Sequence, residues 1–450
     1  MCAVLALPGG GEGTQFGSQM AKTPDARRFV ATVKIPSTPF RPSVRVGPFV
    51  KAVPVQKAPG MLRSGTALAV LDPGPLLKRG KAYAEVTWLS VVHGEEFQRP
   101  PRLGPGGTVA LVSPSDPAAG LFPERVAQAA KALARRGIGL KPMARALRIH
   151  PERSYLAGTD DERARDLMDA FLDPEVDAVW AGIGGLNSNR ILDRLDYAEI
   201  ARHPKPLVGY SDITVLLNSV AFASRLVTFH GPNLVVEWGQ AGGPDPFTER
   251  AFWQILSGVK APIPLPMSRT TRLEPWPPGP ATHLGMRSWV ANRSGIAEGR
   301  LVGGNLRSFL RLAGTPWWPD LAGAVLFWEE VGLSEHSVDA MLVQLRTLGA
   351  FEQIGAMVIG KVVDEDEQDL MDPSALIDLV ADVAGRVLPI VANVDAGHTD
   401  PMLTLPIGST LRVDSERAEL TLTEPAVREP TEPDLARGDT ARAVTEKTPG

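Results

Sequence analysis

Three short segments of this 450-residue chain carry residue types that can perform acyl transfer. The first is LVGYSDIT, where Ser211 stands between an apolar stretch and the apolar run Ile213 to Ala223. A serine on a sharp strand-to-helix turn lifts its hydroxyl out of the sheet edge, the geometry of a nucleophile elbow. Gly209 suits the position two before the serine, but Ile213 occupies the place where that motif has its second glycine. A serine that opens a helix also serves as a plain N-cap. The second segment, LFWEEVG, places Glu329 and Glu330 directly after an apolar run. Neighbours on an extended chain face opposite ways, so only one carboxylate can enter a cleft. The pair also reads as a solvated acidic loop, or as half of a glycosidase pair whose second acid is remote. The third segment, VDAGHTDPMLTLPIG, holds His398 in a polar, turn-rich loop where an imidazole can titrate and accept a proton. His230, in TFHGPN, is the rival histidine and equally reads as a packed core residue.

A fourth segment, GIGGLNSNR over residues 182–190, would converge its backbone N–H groups at a sheet edge and so attract an anion. It reads as a phosphate cradle, as an oxyanion hole, or as a tight strand-to-helix turn. The phosphate reading is the weakest, because no P-loop Lys-Ser/Thr pair is present and Asn187 replaces the last glycine of a G-x-G-x-x-G pattern. There is no H-E-x-x-H, and the single cysteine, Cys2, excludes both an intramolecular disulfide and a thiolate metal cluster. No metal or cofactor is expected.

The elements that must position these groups alternate. An apolar run at 108–112 predicts a strand, and a helix follows from Pro123 until Gly137 ends it. A second helix, with Asp160 as N-cap, runs to Leu172. Then come a strand at 177–183, a helix at 189–195, a strand at 206–210 and the helix at 213–223. This spacing predicts an α/β fold with a mostly parallel sheet flanked by helices. Residues 258–298, rich in Pro, Trp and Arg, read as a linker or substrate-covering segment. A smaller C-terminal α/β domain starts near Gly299, with strands at 323–328, 356–361 and 389–393 and a helix at 338–348. The predicted boundaries are a flexible or spurious extension at 1–97, the nucleophile domain at 98–257, the linker at 258–298, the Glu and His domain at 299–422, and a disordered tail at 423–450.

A formal charge of -4 and a pI near 6.0 give no reason to expect a nucleic-acid or anionic-membrane partner, and a small molecule or peptide fits better. The apolar runs around Val325 and Leu388 are too short to span a bilayer and read as buried strands. The start, MCAVLALPGGGEG, makes a poor secretory leader, so a cytoplasmic location is expected.

GYSDIT, GIGGLNSNR, GRLVGGNL, LFWEEVG and DAGHTDPMLTLPIG occur in the order and spacing of the LD-carboxypeptidase and microcin C immunity family, and the resemblance covers residues 98–422. It implies a two-domain α/β serine carboxypeptidase with the active site between the domains, usually a homodimer. Carried over by motif, Ser211 is the nucleophile, His398 its base and Glu329 the carboxylate that orients the base. The N–H groups of Asp212 and Gly185 would hold the oxyanion. Gly184, Asn187, Asn305 and Trp289 are assigned to substrate binding, with Trp276 beside them in the Trp- and Pro-rich segment. The Asn-Ser-Asn form of the glycine loop resembles the microcin branch, whose substrates are aminoacyl groups linked to a nucleoside. The alternatives are a murein tetrapeptide carboxypeptidase releasing D-alanine and, in another class, a non-catalytic ligand-binding protein. Residues 1–97 have no counterpart in the family pattern.

Overall fold

The computed structural model describes residues 96–432 apart from 286 and 287, residue 434, and six strands within the first 95 residues. The chain divides into two units, Met1–Glu96 and Phe97–Gly450. In the first, Phe29–Ile35 and Gly65–Asp72, rich in Val, Ala and Leu, pair antiparallel, with Ala21–Lys22 and Glu85–Leu89 on the outer edges. Val4–Leu5 pairs separately with Val44–Arg45. Outside these strands, the expected flexible or spurious character of residues 1–97 lies outside the described residues. At its end, Phe97 already belongs to the second unit, where its ring meets that of Phe222 at 5.2 Å.

The second unit is an α/β protein of two domains. The first domain contains β1 (Thr108–Val112), α1 (Pro123–Ala134), β2 (Gly139–Pro142), α2 (Asp160–Leu172), β3 (Ala178–Ala181), β4 (Leu207–Gly209), α3 (Thr214–Ser224), β5 (Thr228–His230) and α4 (Pro246–Leu256). Its strands run parallel in the order β5-β4-β3-β1-β2. Pro123 starts α1 at the position where a missing N–H costs nothing. The N-cap of α2 is Thr159 rather than the expected Asp160, because Thr159 and Glu162 complete a reciprocal capping box that an aspartate one residue later cannot form. The helix expected at 189–195 is a 3₁₀ helix one residue earlier, Ser188–Arg194, with Leu195 as its C-cap.

The second domain contains β6 (Ile296–Asn305), α5 (Leu306–Leu310), β7 (Val325–Glu330), α6 (Glu335–Thr347), β8 (Ala356–Val362), α7 (Pro373–Ala384), β9 (Ile390–Val394), β10 (Leu405–Ile407), β11 (Thr410–Asp414) and β12 (Glu419–Leu422). β6 to β9 pair in parallel, whereas β11 and β12 add antiparallel on the β6 side, so this sheet is mixed. β10 leaves it to pair antiparallel with β5 at the edge of the first sheet, which ties the domains together just beyond the His398 loop.

Two expected boundaries change. The segment 258–298 is woven into the second domain: Ile263–Pro264 pairs with β12 and Val290–Ala291 with β9, while Thr271–Leu273 and Thr282–Gly285 form a hairpin. The start of the expected disordered tail is also pinned. Ala426 and Val427 are buried, and Glu424 accepts from Thr410 and pairs with Arg99 and Arg300. Residues 433 and 435–450 of that tail lie outside the described residues.

α3 is apolar nearly all round and buried nearly all round, as a helix between two sheets must be. Its polar residues bind the second domain. Asn218 exchanges hydrogen bonds of 3.0 and 2.8 Å with the Gly303 N–H and carbonyl, and the Asn305 N–H donates to Thr214 Oγ1 at 2.9 Å. Gly304, at φ +139, allows this approach, because a Cβ there would lie 2.4 Å from Thr214 Oγ1.

Candidate active site

Ser211 sits between β4 and α3 with φ +62, a left-handed conformation that non-glycine residues rarely adopt and that surrounding contacts must enforce. The departure from the usual elbow motif has a packing reason. A Cβ at Gly209 would come within 2.9 Å of Ile213 Cγ2, so the isoleucine fills the space that the first glycine leaves. Gly184, in the glycine loop, crosses directly over the serine, and a side chain there would meet Ser211 Cβ at 2.7 Å. Among the described residues, neither the Asp212 N–H nor the Gly185 N–H donates to a protein acceptor. Both are free to hold an oxyanion, and the N-terminal end of α3 adds a favourable dipole.

Glu329 and Glu330 end β7, and both are fully buried, which excludes the solvated acidic loop. They face opposite ways. Glu330 accepts from the Arg307 N–H at 2.6 Å and from the Arg307 guanidinium at 3.2 Å. Glu329 Oε2 lies 2.8 Å from His398 Nδ1, while its Oε1 has no partner within hydrogen-bond geometry among the described residues, although the Asn305 side chain lies near enough to help hold the carboxyl low. Burial pushes the Glu329 carboxyl up, but His398 and the nearby His230 outweigh it and hold the group below its ordinary value. For His398 burial acts downward, and the Glu329 carboxylate overcomes it and raises the imidazole. Two glycines make the contact possible. A Cβ at Gly397 would lie 2.7 Å from Glu329 Oε2, and one at Gly360 would lie 2.8 Å from Glu329 Cβ.

Tyr210, next to Ser211, brings the halves together: its ring meets that of His398 edge-on at 5.0 Å. Its hydroxyl donates to Glu237 at 2.8 Å, and burial pushes that carboxyl up to about 8. His230 is the packed alternative. It is fully buried against Phe327, neither ring nitrogen has a partner among the described residues, and burial lowers it to about 4.

The residues expected at the substrate divide. Gly184 and Asn187 lie in the loop over Ser211, where the Asn187 N–H donates to Ser115 Oγ at 3.2 Å. Asn305 pairs in register with Glu329, and its side chain caps α5 by accepting from the Ser308 N–H. Trp289 corrects the expectation, because it is only 6% exposed and its indole N–H donates to Asp395 at 2.8 Å. Its ring is packed into the second domain and leaves little surface for a ligand. Trp276 remains partly exposed, edge-on to Phe122, on a hairpin that Arg272 ties to Asp400 in the His398 loop. Sequence reasoning missed Tyr210, Glu237 and Arg311, whose guanidinium donates to the Asp212 carboxylate at 2.6 Å. Tyr210 stood inside a quoted motif, whereas Glu237 and Arg311 carried no local signal.

Among the described residues, no group of three or more His, Cys, Asp or Glu side chains is placed to hold a metal ion, and no helix is long and apolar enough to cross a membrane. The architecture is that of a two-domain α/β serine hydrolase, with candidate reacting groups contributed by both domains. Residues 109–231 match the LD-carboxypeptidase N-terminal domain, and residues 298–413 match its C-terminal domain. The putative carboxypeptidase YocD of Bacillus subtilis is 32% identical over 330 residues, covering 70% of this chain and 95% of that protein. A probable murein peptide carboxypeptidase of the same organism is 32% identical over 315 residues, covering 69% and 90%. The structure of the microcin C7 self-immunity protein MccF in complex with aspartyl sulfamoyl adenosine superposes with a TM-score of 0.67 at 28% identity, covering 74% of this chain and all of that one. The chain belongs to the LD-carboxypeptidase family.

Proposed function

We propose that this protein is a serine-type carboxypeptidase that hydrolyses an amide bond through Ser211, His398 and Glu329. The carrying observation is the 2.8 Å bond between His398 Nδ1 and the buried Glu329 carboxylate. That bond commits Nδ1 as a donor and leaves Nε2 as the base. Nε2 takes the hydroxyl proton as Ser211 Oγ attacks the carbonyl carbon, and the oxyanion rests on the N–H groups of Asp212 and Gly185. The imidazolium then protonates the departing nitrogen, and water, activated by the same nitrogen, releases the acyl group from the serine. Gly184, Asn187 and Asn305 line the acyl side. Ser211→Ala should lower kcat by on the order of a thousandfold or more with folding unchanged. Residual activity within about tenfold of wild type would remove the assignment, and with it the preference for an enzyme over a ligand-binding protein.

For the substrate, the proposal favours an aminoacyl group linked to a nucleoside. Its support is the likeness to the MccF complex and the partly exposed Trp276 ring, which has the Arg125 guanidinium over it at 5.6 Å and keeps part of its aromatic surface open. Of Trp276 and Trp289, the two rings expected in this segment, Trp276 is the one retained for that part. Hydrolysis of an aminoacyl sulfamoyl adenosine should exceed D-alanine release from murein tetrapeptide in parallel assays. The reverse order would favour the murein reading, which the murein-type relative supports, and would leave the serine mechanism intact. A cytoplasmic homodimer belongs to the same proposal and is checked by fractionation and by sedimentation of the purified chain.

A further inference from the structure

The carboxylate of Asp212 is fully buried beside the serine and is the anchor for three loops. Its Oδ2 accepts from Ser115 Oγ at 2.8 Å and from the Ser188 N–H at 2.7 Å, and Ser188 Oγ returns a bond to the Asp212 carbonyl at 2.7 Å. Ser115 Oγ in turn accepts from the Asn187 N–H. The elbow, the glycine loop and the loop after β1 therefore meet on one anion. Among the described residues, the only cation hydrogen-bonded to that anion comes from the other domain. Arg311, just beyond α5, places Nη1 2.6 Å from Asp212 Oδ1 and 3.0 Å from the carbonyl of Leu186 in the glycine loop. Arg163, also nearby, spends its guanidinium on Pro114, Asn187 and Asp160.

We infer that Arg311 is a positioning residue for the reaction: by clamping Asp212 and Leu186 from the second domain, it holds the backbone donors of the oxyanion hole over Ser211. The inference rests on the serine mechanism proposed above. A buried carboxylate that loses its charge partner is left uncompensated, and it can respond by turning toward water or by shifting against its remaining donors. Either response weakens its hold on Ser115 and Ser188, and the glycine loop then loosens over the serine. The left-handed Ser211 also depends on such contacts, because strained backbone persists only where its surroundings enforce it. Arg311 is not required to touch the substrate. Its effect should therefore fall on the transition state, where the oxyanion forms, and not on binding of the ground state.

The test compares Arg311→Met, Arg311→Lys, Asp212→Asn and the double variant Arg311→Met/Asp212→Asn in the full-length protein, with thermal midpoints measured alongside. Arg311→Met should lower kcat about a hundredfold, the usual cost of displacing a catalytic group by about 1 Å, and leave KM within about threefold. Arg311→Lys should recover part of kcat, and low-millimolar guanidinium chloride should partly rescue Arg311→Met. The double variant should be no worse than the poorer single variant, because both changes break the same contact. A kcat for Arg311→Met within about twofold of wild type, a rise in KM at constant kcat, or additive losses in the double variant would overturn the inference. Should Arg311→Met fold poorly, Arg311→Lys and Asp212→Asn carry the same comparison. Ser211→Ala separates the two claims: retained activity there removes the serine mechanism, whereas its loss beside an unaffected Arg311→Met removes only the clamp.

Discussion

Replacing Glu329 by Gln keeps the shape of a fully buried side chain and removes its charge, so it tests what the carboxylate does for His398. When His398 takes the serine proton it becomes a cation bonded to Glu329 at 2.8 Å. Two unit charges centred about 4 Å apart attract by about 4 kcal/mol at an effective dielectric near 20. That alone is worth about a thousandfold in rate. Loss of the imidazole's fixed orientation adds to it, and the corresponding change in a well-studied triad costs about ten-thousandfold. The expected fall in kcat/KM therefore lies between about a thousandfold and ten-thousandfold. The pH dependence has a definite sign. His398 must be neutral to act as a base, and in the wild type, although burial acts downward, Glu329 raises it above 6.5, so activity should rise through a midpoint above that value. Glu329→Gln removes the raising influence, and the acid limb of the residual activity should shift to lower pH. Stability responds in a window. The raised His398 contributes below 6.5 and loses its contribution as pH rises through its folded value, whereas the lowered Glu329 contributes above 4.5 and loses its contribution as pH falls. The stability difference between wild type and variant should therefore be largest between 4.5 and 6.5. Steady-state kinetics and urea unfolding across pH 4 to 9, roughly the range these groups span, would measure both effects. Activity within about tenfold of wild type with an unmoved acid limb would refute the assignment.

Glu330→Gln should leave kcat within about threefold, because Glu330 is engaged with Arg307 on the far side of β7; a loss as large as that of Glu329→Gln would mean that the wrong carboxylate was chosen. Gly397→Ala should destabilise the protein by about 1–3 kcal/mol and depress kcat, since φ is +122 and the new methyl would press on Glu329 Oε2, and unchanged unfolding and kinetics would contradict that. Removing residues 1–96 should leave kcat/KM within about twofold, as every candidate site residue lies in the second unit; a folded but inactive truncation would place part of the site in the first. His230→Phe should weaken the acid sensitivity of folding. The unfolded imidazole takes a proton near 6.5 and the buried one only near 4, so the wild type loses up to about 3 kcal/mol over that interval, and equal losses in both proteins would show that His230 is not the cause.

The legible features of this sequence were those that a short segment can encode. A proline at the first turn of α1, apolar runs the length of a strand and glycines between them gave the alternating layers of the first domain. Ser211, the glycine loop and His398 stood out because each lay where a strand gives way to a turn. The α2 cap was missed by one residue because threonine and aspartate are both good caps, and only the reciprocal bond with Glu162 distinguishes them. The pinned segment after Thr423 had no pattern to read, since two apolar residues, Ala426 and Val427, are too few to establish a period.

What could not be read were partnerships across long separations. Trp289 looked like a ligand platform because a Trp and Pro-rich run with no period resembles a cover, yet its indole answers to Asp395, 106 positions later. Glu237 is meaningful only because Tyr210 reaches it, and Arg311 only because Asp212 lies across the domain boundary. The same reasoning explains why the motifs identify the reaction more readily than the substrate. The candidate reacting groups are held by glycines with no room for a Cβ, at 184, 360 and 397, and two of these, 184 and 397, stand inside the quoted motifs. The hairpin carrying Trp276, proposed above to face the substrate, is fastened through ion pairs of Arg125 with Glu274 and of Arg272 with Asp400. Ion pairs between distant residues and partly exposed rings have no local period or spacing to read, so these partnerships become visible only in the folded chain.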